Sequence, residues 1–125
     1  APLSSLGAGA DFTVGWTVQT SPGDTIWIVG LGLTETDVDD WRDVDFGIRS
    51  SAGSLNVREN GTWVKGGGAL AAGDRLEIRV IGTTLEYRHN GVVVATSTIT
   101  GTEDFYIDTA FKSGAIELGS FTLTQ

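Results

Sequence analysis

The sequence predicts an all-β, antiparallel fold. Three observations carry that reading: short runs in which apolar and polar residues alternate, two Asn-Gly dipeptides set between such runs, and Gly-Asp steps that open strands. Glycine and β-branched residues interrupt every candidate helix, so no 3.6-residue period persists. Eighteen glycines against two prolines suit many tight turns between short strands. The 125 residues make one domain, long enough to withdraw roughly two-thirds of the unfolded surface from water.

In chain order, Ala1 to Ala10 is small, polar and glycine-rich, an extended lead-in. Asp11 to Gln19 is a strand with Phe12, Val14, Trp16 and Val18 on one face, which makes Trp16 a core residue. Gly15, in mid-strand, predicts a bulge or a close backbone approach. Ser21-Pro22-Gly23-Asp24 is a turn. Thr25 to Leu33 is apolar on both faces through Ile26, Trp27, Ile28 and Val29, as a strand covered twice must be. Leu55 and Val57 alternate with Asn56 and Arg58 up to Asn60-Gly61, and Trp63 and Val64 follow that turn.

Ala71-Ala72-Gly73-Asp74 leads into Leu76, Ile78 and Val80, which alternate with Glu77, Arg79 and Ile81. Leu85 and Tyr87 alternate with Glu86 and Arg88 up to Asn90-Gly91, and Val92 and Val94 follow. A two-residue hairpin needs positive φ at both central positions, which Asn then Gly tolerate best. Ala95 to Thr102 continues as a Thr/Ser-rich strand and loop, and Phe105 to Phe111 is a further strand. In the tail, Ile116 and Leu118 are out of phase with Phe121 and Leu123, and a bulge at Gly119 restores one inward face.

Asp45-Phe46-Gly47-Ile48, Val57-Arg58-Glu59-Asn60-Gly61, Gly73-Asp74-Arg75-Leu76-Glu77-Ile78 and Tyr87-Arg88-His89-Asn90-Gly91 come in an order that resembles the SPRY-like bacterial modules of the concanavalin A-like lectin/glucanase superfamily. The resemblance runs from about Asp11 onward and rests on turn chemistry more than on reactive groups. It implies a two-sheet antiparallel β-sandwich, a jelly roll, with the last strand beside an early one. It also implies a binding appendage of a larger extracellular or virion protein. Such modules usually carry a further strand before the Ser4-Ser5 region, so the chain is expected to be a fragment.

Sixteen acids against eight bases give a formal net charge of −8 with no Lys/Arg cluster. That argues against phosphate-led nucleic-acid binding and attachment to anionic membranes, and suits a neutral ligand or a cation. Without cysteine there is no disulfide, thiol nucleophile or thiolate metal site. No apolar run reaches the ~18 residues of a membrane span.

Thr34 to Asp43 is the unusual segment, with Glu35, Asp37, Asp39, Asp40 and Asp43 around Trp41. Three readings stand: a solvated acidic loop, a calcium site on Asp37, Asp39 and Asp40, or a ligand contact built on Trp41. The glucanase arrangement, three acids alternating on one strand, fails here. Asp43 and Asp45 alternate, but Gly47 and Ile48 stand where the third acid belongs, so a retaining pair is incomplete. The one histidine, His89, lies at a hairpin shoulder with no Gly-x-Ser-x-Gly elbow in the chain, and reads as a surface turn residue.

The expectation is therefore a module that is not an enzyme and has no certain cofactor, with calcium as the candidate. It would bind glycan through Trp41, Trp63 and Tyr87, with Asp39, Asp40 and Asn60 as hydrogen-bond partners. Trp63 precedes Lys65-Gly66-Gly67-Gly68, a setting that exposes it. Tethering to further domains of a secreted, cell-surface or phage tail protein goes with this reading. The alternative is a protein-interaction or assembly module using the same end loops.

Overall fold

The computed structural model describes residues 11–18, 26–33, 44–51, 53–101, 105–113 and 118–124. They form ten strands: β1 (Phe12–Val18), β2 (Ile26–Gly32), β3 (Phe46–Ser51), β4 (Ser54–Glu59), β5 (Thr62–Ala69), β6 (Arg75–Ile81), β7 (Thr84–His89), β8 (Val92–Thr98), β9 (Tyr106–Ser113) and β10 (Leu118–Thr124). There is no helix among the described residues. Two five-stranded sheets result, the first in the order β10-β1-β6-β7-β8 and the second in the order β5-β4-β3-β2-β9. Every pairing is antiparallel.

The alternation read from the sequence becomes the core. Phe12, Val14, Trp16 and Val18 of β1, Leu76, Ile78 and Val80 of β6, and Leu85 and Tyr87 of β7 point inward from the first sheet. Trp27, Val29 and Leu31 of β2, Ile48 of β3, and Leu55 and Val57 of β4 meet them from the second. Burying each such side chain contributes about 1.5–3 kcal/mol. Phe105 closes one end, packing edge-on against Phe12 at 5.8 Å and Phe46 at 6.0 Å between ring centroids. The expected double cover of β2 is present: Ile28 leaves the inter-sheet core and is buried on the opposite face with Val44.

Both Asn-Gly pairs are hairpin turns with positive φ throughout, 52° and 78° at Asn60 and Gly61, and 51° and 83° at Asn90 and Gly91. β10 lies beside β1, and its register carries the bulge expected near Gly119: Gly15 and Thr17 of β1 face Thr122 and Gly119. Gly15 is also a close approach. A Cβ there would sit 2.8 Å from the Arg75 guanidinium, which crosses it to donate to the hydroxyls of Thr17 and Thr122.

One element exceeds the sequence reading. β5 does not end with Val64 but continues through Gly66, Gly67 and Gly68. Pairing with β4 holds it there, with two shifts of register. A Cβ on Gly67 would come within 2.1 Å of Leu55 Cδ2, so the bare backbone is what lets Leu55 close this side of the core.

Candidate functional site

The outer face of the second sheet gathers the polar side chains that the core excludes. On β3, Ile48 points inward, so Gly47, Arg49 and Ser51 point outward; on β4, Leu55 and Val57 point inward, so Asn56 and Arg58 point outward. The register sets Arg49 opposite Asn56 and Asn56 opposite Gly66. In the next row Arg58 faces Gly47 on one side and Trp63 on the other. Arg49 and Arg58 are thus diagonal neighbours on one face, about 7–8 Å apart at the backbone.

These side chains are held in place. The Arg58 Nε–H donates to the Asn56 Oδ1 at 3.0 Å, and its Nη1 donates to the Gly61 carbonyl at 3.4 Å. Arg58 therefore ties the middle of the face to the Asn60-Gly61 turn, whose Asn60 is exposed at the rim. Trp63 is 55% exposed, an open aromatic ring. Its Cζ2 lies 3.6 Å from the point a Cβ on Gly66 would occupy, so the indole leans across the bare backbone of β5. Burial, and after it the charge of Arg58, lower the Arg49 guanidinium below its ordinary value. On the β2 side, Ile28 and Val44 cover Gly47 and close the face off.

Chemically, the face offers a flat apolar ring beside two guanidinium forks and a carboxamide. The ring suits the apolar side of a cyclic ligand, and the forks donate hydrogen bonds in a fixed geometry. They stand on paired strands and not on loops, which suits a site that must be preorganised.

Of the residues expected at a site, Trp63 and Asn60 are here. Tyr87 is not: its ring is wholly buried in the inter-sheet core, which corrects its reading as a ligand contact. Its hydroxyl donates to the Glu59 Oε2 at 2.9 Å across the two sheets, and Ser97 donates to the other Glu59 oxygen at 3.4 Å. The physical reason is parity, since Tyr87 shares the inward face with Leu85. Trp41, Asp37, Asp39 and Asp40, and with them the calcium reading, lie outside the described residues. Arg49, Asn56 and Arg58 were not nominated from sequence. For Asn56 and Arg58 the signal was present: a two-residue turn at Asn60-Gly61 puts Arg58 opposite Trp63 on the polar face.

His89 also differs from the surface residue expected. Its Nε2 lies 2.8 Å from the Asp74 Oδ2. The other Asp74 oxygen accepts from the Asn90 amide at 3.1 Å, and the Ala71 N–H donates to Oδ2 at 2.9 Å. Burial alone would raise the Asp74 carboxyl. The His89 ring, the Ala71 N–H and the Asn90 amide outweigh it and hold the group below the ordinary carboxylate value. This cluster fastens the β5–β6 turn to the β7–β8 hairpin and is a structural clasp.

No family model matches the chain, and no curated protein sequence matches it. Solved structures do. An alginate lyase from Corynebacterium sp. superposes with a TM-score of 0.62 at 17% identity, over 97% of this chain and 61% of its own. The alginate lyase AlgAT5 of Polysaccharide Lyase family 7 gives 0.60 at 12% identity, over 92% of this chain and 59% of its own. An ancestral congerin gives 0.56 at 16% identity, over 98% of this chain and 97% of its own. The chain thus spans about three-fifths of the lyases and nearly all of the congerin.

These neighbours correct the expectation that the chain is not an enzyme, because alginate lyases are enzymes built on the same shell. The test applied to Asp43 and Asp45 addresses hydrolysis by a carboxylate pair, and a lyase is not a hydrolase. The SPRY-like subdivision is not among these neighbours; the broader class is what they share. The chain has a lectin-like jelly-roll sandwich of the concanavalin A-like kind, the fold common to galectins and alginate lyases.

Proposed function

We propose that the outer face of β3, β4 and β5 binds carbohydrate. Trp63 stacks on a sugar ring, and Arg49, Asn56, Arg58 and Asn60 donate or accept hydrogen bonds around it. The observation that carries this reading is the half-exposed indole of Trp63, set directly opposite an Arg58 already oriented by Asn56 and Gly61. An open aromatic ring supplies an apolar platform and an oriented guanidinium supplies charge-assisted donors, a combination that suits a sugar ring with its hydroxyls. Two lines of support come from the neighbours. The alginate lyases carry a polysaccharide family in their name, and a chicken galectin matches over 98% of this chain and 99% of its own with a TM-score of 0.55.

The acidic segment before Val44 belongs to the proposal as well. Val44 borders the face, and Trp41 precedes it by three residues in the sequence. Trp41, Asp39 and Asp40 would supply a second side to the site.

Affinity electrophoresis against a panel of soluble polysaccharides tests the reading. At least one polymer should retard the protein, and Trp63→Ala should weaken that binding roughly tenfold or more, as loss of an aromatic anchor does. Binding that is indifferent to Trp63→Ala, or no retardation by any polymer, would sink it.

A further inference from the structure

We propose that Asn60 is a self-modification site. Its carboxamide is converted by the adjoining Gly61 nitrogen into aspartate and isoaspartate, while Asn90, in the same dipeptide and the same kind of turn, is protected. The conversion stands on hairpin geometry alone, and its consequence for ligand binding rests on the carbohydrate reading.

The chain has three asparagines, and two of them, Asn60 and Asn90, precede a glycine. The backbone does not separate the two. The φ angles are 52° and 78° in one turn and 51° and 83° in the other. Both asparagines are exposed. The Asn60 N–H donates to the Asp45 carbonyl at 3.1 Å, and the Asn90 N–H to the Arg75 carbonyl at 2.7 Å. The side chains do differ. The Asn90 carboxamide is held at both ends: its Oδ1 accepts from the Arg75 N–H at 2.8 Å, and its Nδ2 donates to the Asp74 Oδ1 at 3.1 Å. The Asn60 carboxamide has no hydrogen bond among the described residues.

The chemistry needs only this chain and water. The Gly61 nitrogen gives up its proton and attacks the Asn60 Cγ. An N–C bond forms, the Cγ–Nδ2 bond breaks, and ammonia leaves with the proton. Water then opens the cyclic imide at either carbonyl, which gives aspartate or isoaspartate at position 60. Glycine supplies the access, since no Cβ shields its nitrogen. Attack requires the carboxamide to swing over that nitrogen while the turn rotates. Both turns must make the backbone excursion. Asn90 must also break two hydrogen bonds, so it reaches the attack geometry more rarely.

Each conversion adds one negative charge to the formal −8. Isoaspartate carries the backbone through its Cβ, one atom more than a two-residue turn is built for. The Arg58 Nη1 donates to the Gly61 carbonyl at 3.4 Å, and the exposed Trp63 follows Gly61 by two residues. A change in this turn therefore reaches groups proposed to hold the sugar.

Storage of the 125-residue chain in warm, mildly alkaline buffer tests the site, read by peptide mass spectrometry that resolves aspartate from isoaspartate. Position 60 should convert roughly tenfold or more faster than position 90, the scale of two ordinary hydrogen bonds. In concentrated urea, where both side chains are released, the two rates should draw together. Asp74→Ala, which frees one end of the Asn90 carboxamide, should speed conversion at position 90 and leave position 60 unchanged. Equal rates in the folded chain, a faster rate at position 90, or no conversion at either would overturn the proposal. A difference that persists in urea would overturn anchorage as its cause. The folded and urea comparisons use the unaltered chain, so they decide the matter even where Asp74→Ala fails to fold. The converted protein, separated by charge, should be retarded less than the intact protein by a polysaccharide that binds the latter. Equal retardation would overturn the link to the face and leave the conversion standing. No retardation of either by any polysaccharide would overturn the carbohydrate reading and that link together, again leaving the conversion standing.

Discussion

Gly30 and Tyr87 show how little room single residues have in this sandwich. A Cβ on Gly30 would lie 2.0 Å from the Phe46 carbonyl oxygen and 2.6 Å from the Gly47 Cα, both backbone atoms of the paired strand. No rotamer relieves that overlap, so Gly30→Ala must push β2 away from β3. We expect it to cost about 3 kcal/mol or more, at the upper end of single substitutions, and to lower the urea midpoint accordingly. Gly66→Ala, whose Cβ would meet only Trp63 at an ordinary 3.6 Å, should leave that midpoint nearly unchanged. Tyr87 makes a different point. Burial first, and then the charge of Glu59 and the hydrogen bond to it, raise its hydroxyl far above the ordinary value of 10.0. In the unfolded chain the same phenol ionises near pH 10, so above that pH the unfolded state holds fewer protons than the folded one, and stability falls as pH rises. Tyr87→Phe should therefore lose about 1–3 kcal/mol at neutral pH yet show a flatter decline between pH 10 and 12 in pH-resolved denaturation. An alkaline limb unchanged in the variant would mean that another group governs it.

At the scale of elements, the two Asn-Gly hairpins are structural copies. Arg58 faces Trp63 and Glu59 faces Thr62 in one; Arg88 faces Val93 and His89 faces Val92 in the other. Both carry a register shift on the near side of the arginine, between Val57 and Arg58 and between Tyr87 and Arg88. The turns and the parity of each arm were legible, because Asn then Gly admits few other turns and alternation sets the parity; the register shifts were not. β5 beyond Val64 was not legible: three glycines carry no apolar pattern, and only pairing with β4 makes them a strand. Tyr87 was legible as an inward residue beside Leu85, but its type suggested a ligand contact, and parity outranked type. Arg49 joins Asn56 and Arg58 only through the β3–β4 register, which no local signal states. The hairpins differ in anchorage, since Asn90 binds Asp74 and accepts from the Arg75 N–H at 2.8 Å. Asp74 is held below its ordinary value, so it stabilises the fold above the unfolded carboxyl range near pH 4. That contribution is lost as pH falls through the folded value. Asp74→Asn should be less stable at pH 7 and should flatten the acid limb of a thermal-melt series below pH 4. A limb that keeps its slope would show that the clasp contributes nothing through its charge.

For the whole molecule, the strand orders end at β5 and β8, and these two edges meet on one side of the sandwich, with Val94 Cγ1 3.4 Å from the place of a Cβ on Gly67. The side is apolar as well as open. Val92 is 67% and Val93 42% exposed on β8, and Trp63 and Val64 are exposed on β5. Edge strands of this composition pair readily with other chains unless something keeps them apart. β5 carries the exposed Lys65, but β8 has neither Pro nor a charge, so the safeguard left to the β8 edge is the field of the whole chain, a formal −8 at neutral pH. That safeguard vanishes near the isoelectric point of about 4.3. Dynamic light scattering should show particles of monomer size at pH 7 in low salt and self-association as pH approaches that point. Val93→Lys should suppress the association, because a lysine on an edge blocks strand addition. Ile81→Lys adds the same charge at an exposed position on β6, an inner strand of the first sheet, and should suppress it less. Equal suppression by both would assign the effect to net charge alone and leave the β5 and β8 edges without a part in it.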